Sequence, residues 1–187
     1  VAFALGRIGP PALAASDVLR RGLVDPTAIV RVFAAWALLK IDAEERDAVF
    51  VLVDQLRTEE NLELVLELLA DVGPRAAPGL SLYITFTTSD NLEVRKDALT
   101  AIGKLGPAGV KGASAIEVQL KHADEAVRLA AVQAALRVGV ESVKISATLH
   151  SLLSAKAGEV RIVAAQVCRD DAKLAQTCPE EIGRAHV

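Results

Sequence analysis

The side chains of this 187-residue chain that could do chemistry are few and scattered. Its three histidines, His122, His150 and His186, lie far apart in sequence. Its two cysteines, Cys168 and Cys178, form no Cys-x-x-Cys metal or redox motif. Cys168 falls at an apolar-periodic position, where a thiol packs as a small hydrophobe. The Gly-Pro pairs lack the Gly-Lys-Ser/Thr ending of a loop that cradles phosphate. The acidic set Glu59, Glu60, Glu63, Glu67 and Asp71 reads as a solvated helix face rather than a metal site. No nucleophile is set beside a base, so the chain is expected to be non-catalytic, with no cofactor and no metal. What remains is contact chemistry: one Trp, Trp36, and arginines at Arg31, Arg95, Arg128 and Arg161.

Those residues are presented by a recurring element, clearest in Asp90 to Pro107, DNLEVRKDALTAIGKLGP. Asp90 and Glu93 have the spacing of an N-cap and an N3 carboxylate that satisfy each other's free amides. Val94, Ala98, Ile102 and Leu105 share one helix face, while Asp97, Thr100 and Lys104 fall on another. Gly106 suits the left-handed end of a helix, and Pro107 cannot continue one. The pair Val94-Arg95 returns as Val127-Arg128 and Val160-Arg161, in steps of 33 from 94 to 127 and from 127 to 160. It occurs earlier as Val30-Arg31; Asn61-Leu62 stands where the intervening copy is expected. Gly9, Gly73, Gly106 and Gly139 keep the same register. Self-similarity at this period predicts a solenoid of helical hairpins: all-α, a right-handed superhelix of about five of them.

Composition fits that class. Hydrophobic residues make up 52% and aromatic residues 3%, so the interior must be built from Ala, Leu, Val and Ile. A formal charge of −3 and a pI near 5.7 argue against nucleic acid as a partner, although a local basic patch is compatible with them. No run reaches the roughly 18 to 20 apolar residues of a membrane span, and no signal peptide is visible. The compartment is left unassigned, with the cytoplasm slightly favoured.

In chain order, Val1 to Pro10 reads as the end of a second helix whose first helix is expected upstream, so the chain is expected to be a fragment of a longer one. Helices are then expected over Pro11 to Gly22, Asp25 to Lys40 with Pro26 in its first turn, Ala43 to Leu56 and Glu59 to Val72. Gly79 to Ser89, GLSLYITFTTS, has the β-branched and aromatic content of a strand, yet the register demands a helix there. Ala108 to His122, Glu125 to Val138, Glu141 to Ala155 and Glu159 to Ala172 complete the set. The tail Glu181 to Val187 can be encoded by GAG ATC GGA AGA GCA CAC GTC, the start of a common sequencing adapter. We therefore take 1–180 as the repeat array and 181–187 as a translated adapter.

The period, the Asp in the turn, Val-Arg opening the second helix, and the endings Leu5-Gly6-Arg7-Ile8-Gly9-Pro10 and Ile102-Gly103-Lys104-Leu105-Gly106-Pro107 resemble short bacterial HEAT repeats, including the phycobilisome-lyase type. The resemblance runs to about Ala172 and departs from the pattern at Asn61-Leu62 and at Ala172, where a Gly would close the helix. It implies that the second helices line the concave surface. It also raises HEAT-type di-iron hydroxylases, whose His-Glu pairs are absent here: His122 precedes Ala123, and His150 precedes Ser151.

Counted from the Val position, the fourth residues of the second helices are Ala34, Val65, Ala98, Ala131 and Ala164, a small-residue column suited to close helix contact. The third, sixth and tenth make a ridge: Phe33, Trp36, Lys40; Leu64, Glu67, Asp71; Asp97, Thr100, Lys104; Ala130, Gln133, Arg137; Val163, Gln166, Asp170. The candidate partner-binding residues are Phe33, Trp36, Lys40, Glu67, Asp71, Thr100, Lys104, Gln133 and Arg137. Trp36, in a column otherwise polar, is the candidate interface anchor; the reading favoured over it is that its indole packs against a neighbouring repeat and plugs a groove, since isolated exposed apolar residues are normal. The Arg column is expected to be structural, each Arg reaching an Asp or a carbonyl of an adjacent turn.

The leading functional expectation is a non-catalytic scaffold that binds a protein or peptide on its concave face; no oligomeric state is implied. The resemblance adds an accessory of the bilin-lyase type as the alternative, and behind it a HEAT-like DNA-repair glycosylase. The last would need a basic groove with aromatic residues and a carboxylate, of which Trp36 supplies one part.

Overall fold

The left-handed glycines punctuate the chain as the period requires. Gly9, Gly73, Gly106 and Gly139 have φ of 75°, 68°, 58° and 87°, the conformation in which a helix ends and which penalises any residue bearing a Cβ. The computed structural model describes residues 1–58, 60–170 and 174. Glu59, Ala172 and the tail 181–187 lie outside the described residues. Among those described, all regular structure is helical, and no helix is long and apolar enough to cross a membrane.

The α-helices are α1 (Ala2–Ile8), α2 (Ser16–Gly22), α3 (Ala28–Ile41), α4 (Ala48–Gln55), α5 (Leu62–Val72), α6 (Leu80–Phe86), α7 (Leu92–Lys104), α8 (Ala113–Gln119), α9 (Glu125–Val138), α10 (Ser142–Leu153) and α11 (Gly158–Asp170). After Gly9, Gly73 and Gly106 the following proline leads into a 3-10 segment, Pro10–Ala15, Gly73–Gly79 or Gly106–Gly112. The first helices expected from Pro11 and from Ala108 are therefore each split, a 3-10 stretch followed by a seven-residue α-helix. A proline lacks the N–H an α-helix interior needs, and a tighter i to i+3 turn tolerates it. Gly139 is followed by Val140 instead, and α10 forms at Ser142 without such a prelude. The strand-like stretch after Gly79 is helical as α6, so packing register outweighs β propensity there. Tyr83 in α6 is fully buried, and burial pushes its phenol pKa above the ordinary range.

Several boundaries differ from expectation. The cap of α7 is Asn91, not Asp90: its side chain accepts from the amides of Glu93 and Val94. Asp124 does the same for Ala126 and Val127 at the start of α9. Both caps stand three residues before the Val of Val-Arg, which is the register that matters. α3 begins at Ala28, two residues past Pro26, because Asp25 Oδ1 closes a local turn on the Thr27 amide at 2.8 Å. α5 begins at Leu62, and Asn61, which replaces the Val of the motif, is itself left-handed with φ 55°. α4 begins at Ala48, where Glu45 Oε1 accepts from the Asp47 and Ala48 amides.

The chain divides into two units, Val1–Leu82 and Tyr83–Val187. In unit 1 the central helix is α3, packed by α1, α2, α4 and α5. It is buried without interruption from Ala34 to Leu39, so it has no solvent face over those residues. In unit 2 the corresponding centre is α9, packed by α7, α8, α10 and α11. The small-residue column is core in both: Ala34 is 2% exposed, and Val65, Ala98, Ala131 and Ala164 are 0%. Small side chains there let helices approach closely. At Gly22 a Cβ would meet Ala34 Cβ at 2.8 Å.

Candidate functional site

In unit 1 the ridge residues of α3 and α5 meet α1 around a cleft of about 380 Å³ lined by Phe3, Gly6, Arg7, Trp36, Lys40, Glu67, Leu68 and Asp71. Of the two readings of Trp36 the packed one holds, and the exposed anchor is ruled out: the residue is 3% exposed. Helix α1 covers it, with Phe3 stacked on the indole at 5.4 Å between centroids. The indole N–H donates to Asp71 Oδ2 at 2.9 Å, and Lys40 Nζ pairs with the same oxygen at 3.1 Å. A buried Trp needs such an acceptor for its polar edge. The aromatic surface offered to solvent belongs to Phe3, which is half exposed and also meets the half-buried Phe33 edge-on at 5.7 Å. Glu67 is exposed. The structure thus brings Trp36, Lys40, Glu67 and Asp71 into one cleft, with Phe33 behind Phe3.

In unit 2 a second cleft of about 400 Å³ is lined by Gln133, Leu136 and Arg137 of α9 and by Val163, Gln166, Val167 and Asp170 of α11. Thr100 and Lys104 stand in the same columns on α7 but do not line it. The stem of Arg137 passes against α7, its Cδ 3.6 Å from where a Cβ of Gly103 would be. Neither cleft contains His, Cys, Ser or Thr. They present carboxylates, cationic groups, carboxamides and apolar side chains.

Phe3 and Arg7 also line the unit 1 cleft, a place that the reading of Val1 to Pro10 as a helix end does not give them. The signal was available: Gly6 stands three residues before Gly9, as Gly103 does before Gly106, and both glycines admit a close helix neighbour. Gln166 and Asp170, which stand in the ridge columns, line the unit 2 cleft beside the candidates Gln133 and Arg137.

The Arg column is structural, as expected. Each guanidinium turns back to carbonyls of the turn before its own helix: Arg31 to Asp25 and Pro26, Arg95 to Ser89, Arg128 to His122 and Ala123, Arg161 to Ala155 and Lys156. Arg31 and Arg95 also donate to buried glutamines, Gln55 at 3.3 Å and Gln119 at 3.1 Å. His122 Nδ1 takes the Asp124 amide at 3.0 Å, and His150 Nδ1 lies 2.8 Å from the Ser146 carbonyl. Cys168 is fully buried in α11. Among the described residues, no group of three or more His, Cys, Asp or Glu side chains could hold a metal ion.

No family model and no curated protein matches the chain. Among solved structures it is similar to the complex of CpcE and CpcF of phycocyanin lyase from Nostoc sp. PCC7120. The identity is 25% over 88% of this chain and 67% of that one, with a TM-score of 0.58. It is also similar to an engineered protein from the Northeast Structural Genomics Consortium, at 21% identity over 98% of this chain and 89% of that one, with a TM-score of 0.49. The likeness to the lyase complex supports a helical-repeat fold.

Proposed function

We propose that this chain is a protein-binding helical-repeat module of the lyase-subunit type, which engages a partner chain through the ridge of its second helices and performs no chemistry itself. The observation that carries this is the likeness, across 88% of the chain, to a complex built from two protein subunits. The two clefts support it by their content, since both present hydrogen-bonding and charged side chains suited to contact with another chain. Phe33, Trp36, Lys40, Glu67 and Asp71 would shape the contact in unit 1, and Thr100, Lys104, Gln133 and Arg137 in unit 2. Trp36 would act from beneath, by holding Phe3 and Asp71 in place. A solenoid of about five hairpins, wound as a right-handed superhelix, goes with this reading; the 33-residue period supports the repeat.

The test is size-exclusion chromatography with light scattering on mixtures of this chain with CpcE, CpcF or a phycocyanin subunit, with and without bilin. A complex accompanied by bilin-dependent absorbance on the phycocyanin subunit supports the lyase-type role. A complex with no such absorbance leaves a binding scaffold alone, and no complex with any of the three removes the lyase-type reading.

A further inference from the structure

We infer that the ridge of unit 2, from Lys104 on α7 across the cleft of α9 and α11, reads the order of charges along an extended segment of its partner, taking carboxylates over α7 and α9 and a cationic group over α11. This rests on the protein-binding reading above and names the chemistry of the partner at that site.

The first support is the state of the polar groups. In unit 1 the ridge is closed on itself, because Trp36 and Lys40 both meet Asp71. In unit 2, among the described residues, the side chains of Thr100, Lys104, Gln133, Arg137, Gln166 and Asp170 make no hydrogen bond or ion pair. All are half-buried or exposed, so water serves them now and a partner can replace it.

The second support is what the free groups match. Gln133 and Gln166 each offer an N–H donor and a carbonyl acceptor, the same pair that every peptide unit carries. They stand one period apart on the adjacent helices α9 and α11. Packed helices lie about 8 to 10 Å apart and an extended chain advances about 3.3 Å per residue, so the two carboxamides meet backbone groups roughly three residues apart.

The third support is the sign change in the neighbouring column: Lys104 on α7 and Arg137 on α9 are cationic, and Asp170 on α11 is anionic. Arg137 can hold a carboxylate with two parallel bonds. Asp170 repels a second carboxylate at that end, and such a repulsive element is what makes the cleft selective rather than merely attractive.

The test uses fluorescence anisotropy with two labelled Gly/Ser-based peptides of identical composition. In one, glutamates fill one half and lysines the other; in the second they alternate. The blocked peptide should bind roughly fivefold or more tighter than the alternating one, a margin that a few rim ion pairs can supply. Arg137→Glu and Lys104→Glu should abolish the preference, with Arg137→Gln giving an intermediate loss. Asp170→Lys should transfer preference to an all-glutamate peptide. Gln133→Ala with Gln166→Ala should weaken both peptides alike. Helical circular dichroism, unchanged in these surface variants, shows that folding is not the cause. Equal binding of the two peptides, indifference to Arg137→Glu, or no binding at all overturns the inference. If that happens while the chain still forms a complex with CpcE, CpcF or phycocyanin, only this inference falls; loss of that complex as well removes the binding reading itself.

Discussion

Gly6 and Trp36 touch so closely that a Cβ on Gly6 would lie 2.3 Å from Trp36 Cζ3 and 2.7 Å from Cε3. Those atoms belong to a rigid ring held by Phe3 on one side and by the Asp71 bond at its edge, so the indole cannot yield by a small rotation. Gly6→Ala should therefore destabilise the protein by about 1 to 3 kcal/mol through overpacking. Because Trp36 is the single Trp, its emission should shift to the red as the ring is displaced toward water. Denaturant unfolding and emission spectra check this; an unchanged midpoint and spectrum would mean that α1 does not lie on α3 as described.

Trp36→Ala bears on the residue's role. An exposed anchor could be truncated without harm to the fold, but a side chain 3% exposed leaves a cavity and an Asp71 with one partner fewer. The expected cost is about 3 to 5 kcal/mol. Trp36→Phe keeps most of the ring and loses the N–H, and should cost about 1 kcal/mol from the hydrogen bond plus a smaller packing loss. Thermal unfolding of both variants tests the ordering. A Trp36→Ala protein as stable as its parent would restore the exposed-anchor reading.

Arg95 and Arg128 occupy the same position in successive repeats but are differently supported. Arg95 donates to the Ser89 carbonyl and to the buried Gln119, whereas Arg128 meets the His122 and Ala123 carbonyls, with its Nε buried and unpaired. Arg95→Ala should be the costlier change, by about 1 kcal/mol, since it also strands a buried carboxamide. Lysine should rescue little at position 95, because one ammonium cannot reproduce the planar fork that reaches both partners. Paired urea titrations of the two Ala variants and of Arg95→Lys decide it; equal losses at 95 and 128 would show that Gln119 contributes nothing.

The repeat was legible because its signals are local and categorical. A left-handed position nearly demands Gly, and a capping position demands a short acceptor, so Gly9, Gly73, Gly106 and Gly139 could be read before any packing was known. The small-residue column was legible for a related reason: close approach leaves no room for larger side chains. The neighbour that covers Trp36 was not, because the column rule assigns a face to each residue and α3 has no solvent face between Ala34 and Leu39. Which neighbour covers a helix is a non-local fact. The 3-10 segments after Gly-Pro were missed because periodicity at 3.6 and at 3.0 residues is indistinguishable over six or seven positions. Among the candidates, Trp36, Lys40, Glu67 and Asp71 share a cleft because α3 and α5 pack together, a pairing that the hairpin register already implied.

The remaining prediction concerns Tyr83, the single Tyr of the chain, fully buried with its phenol pKa raised by desolvation. In the unfolded chain this phenol ionises near pH 10; in the folded one it stays protonated beyond that. A group whose folded pKa lies above its unfolded value leaves stability unaffected below the unfolded pKa and removes it as pH rises from there toward the folded pKa. Stability should therefore be level in this respect up to about pH 10 and then fall by up to about 1.4 kcal/mol per pH unit from Tyr83 alone. The tyrosinate absorbance near 295 nm should remain absent in the native protein at pH values where a urea-unfolded sample already shows it. Tyr83→Phe should remove that increment of alkaline destabilisation while lysine titration continues in both proteins, so the difference between the two pH profiles isolates the phenol. A native protein whose 295 nm absorbance rises with the same midpoint as the unfolded chain would show that Tyr83 is open to water, and would contradict its burial in α6.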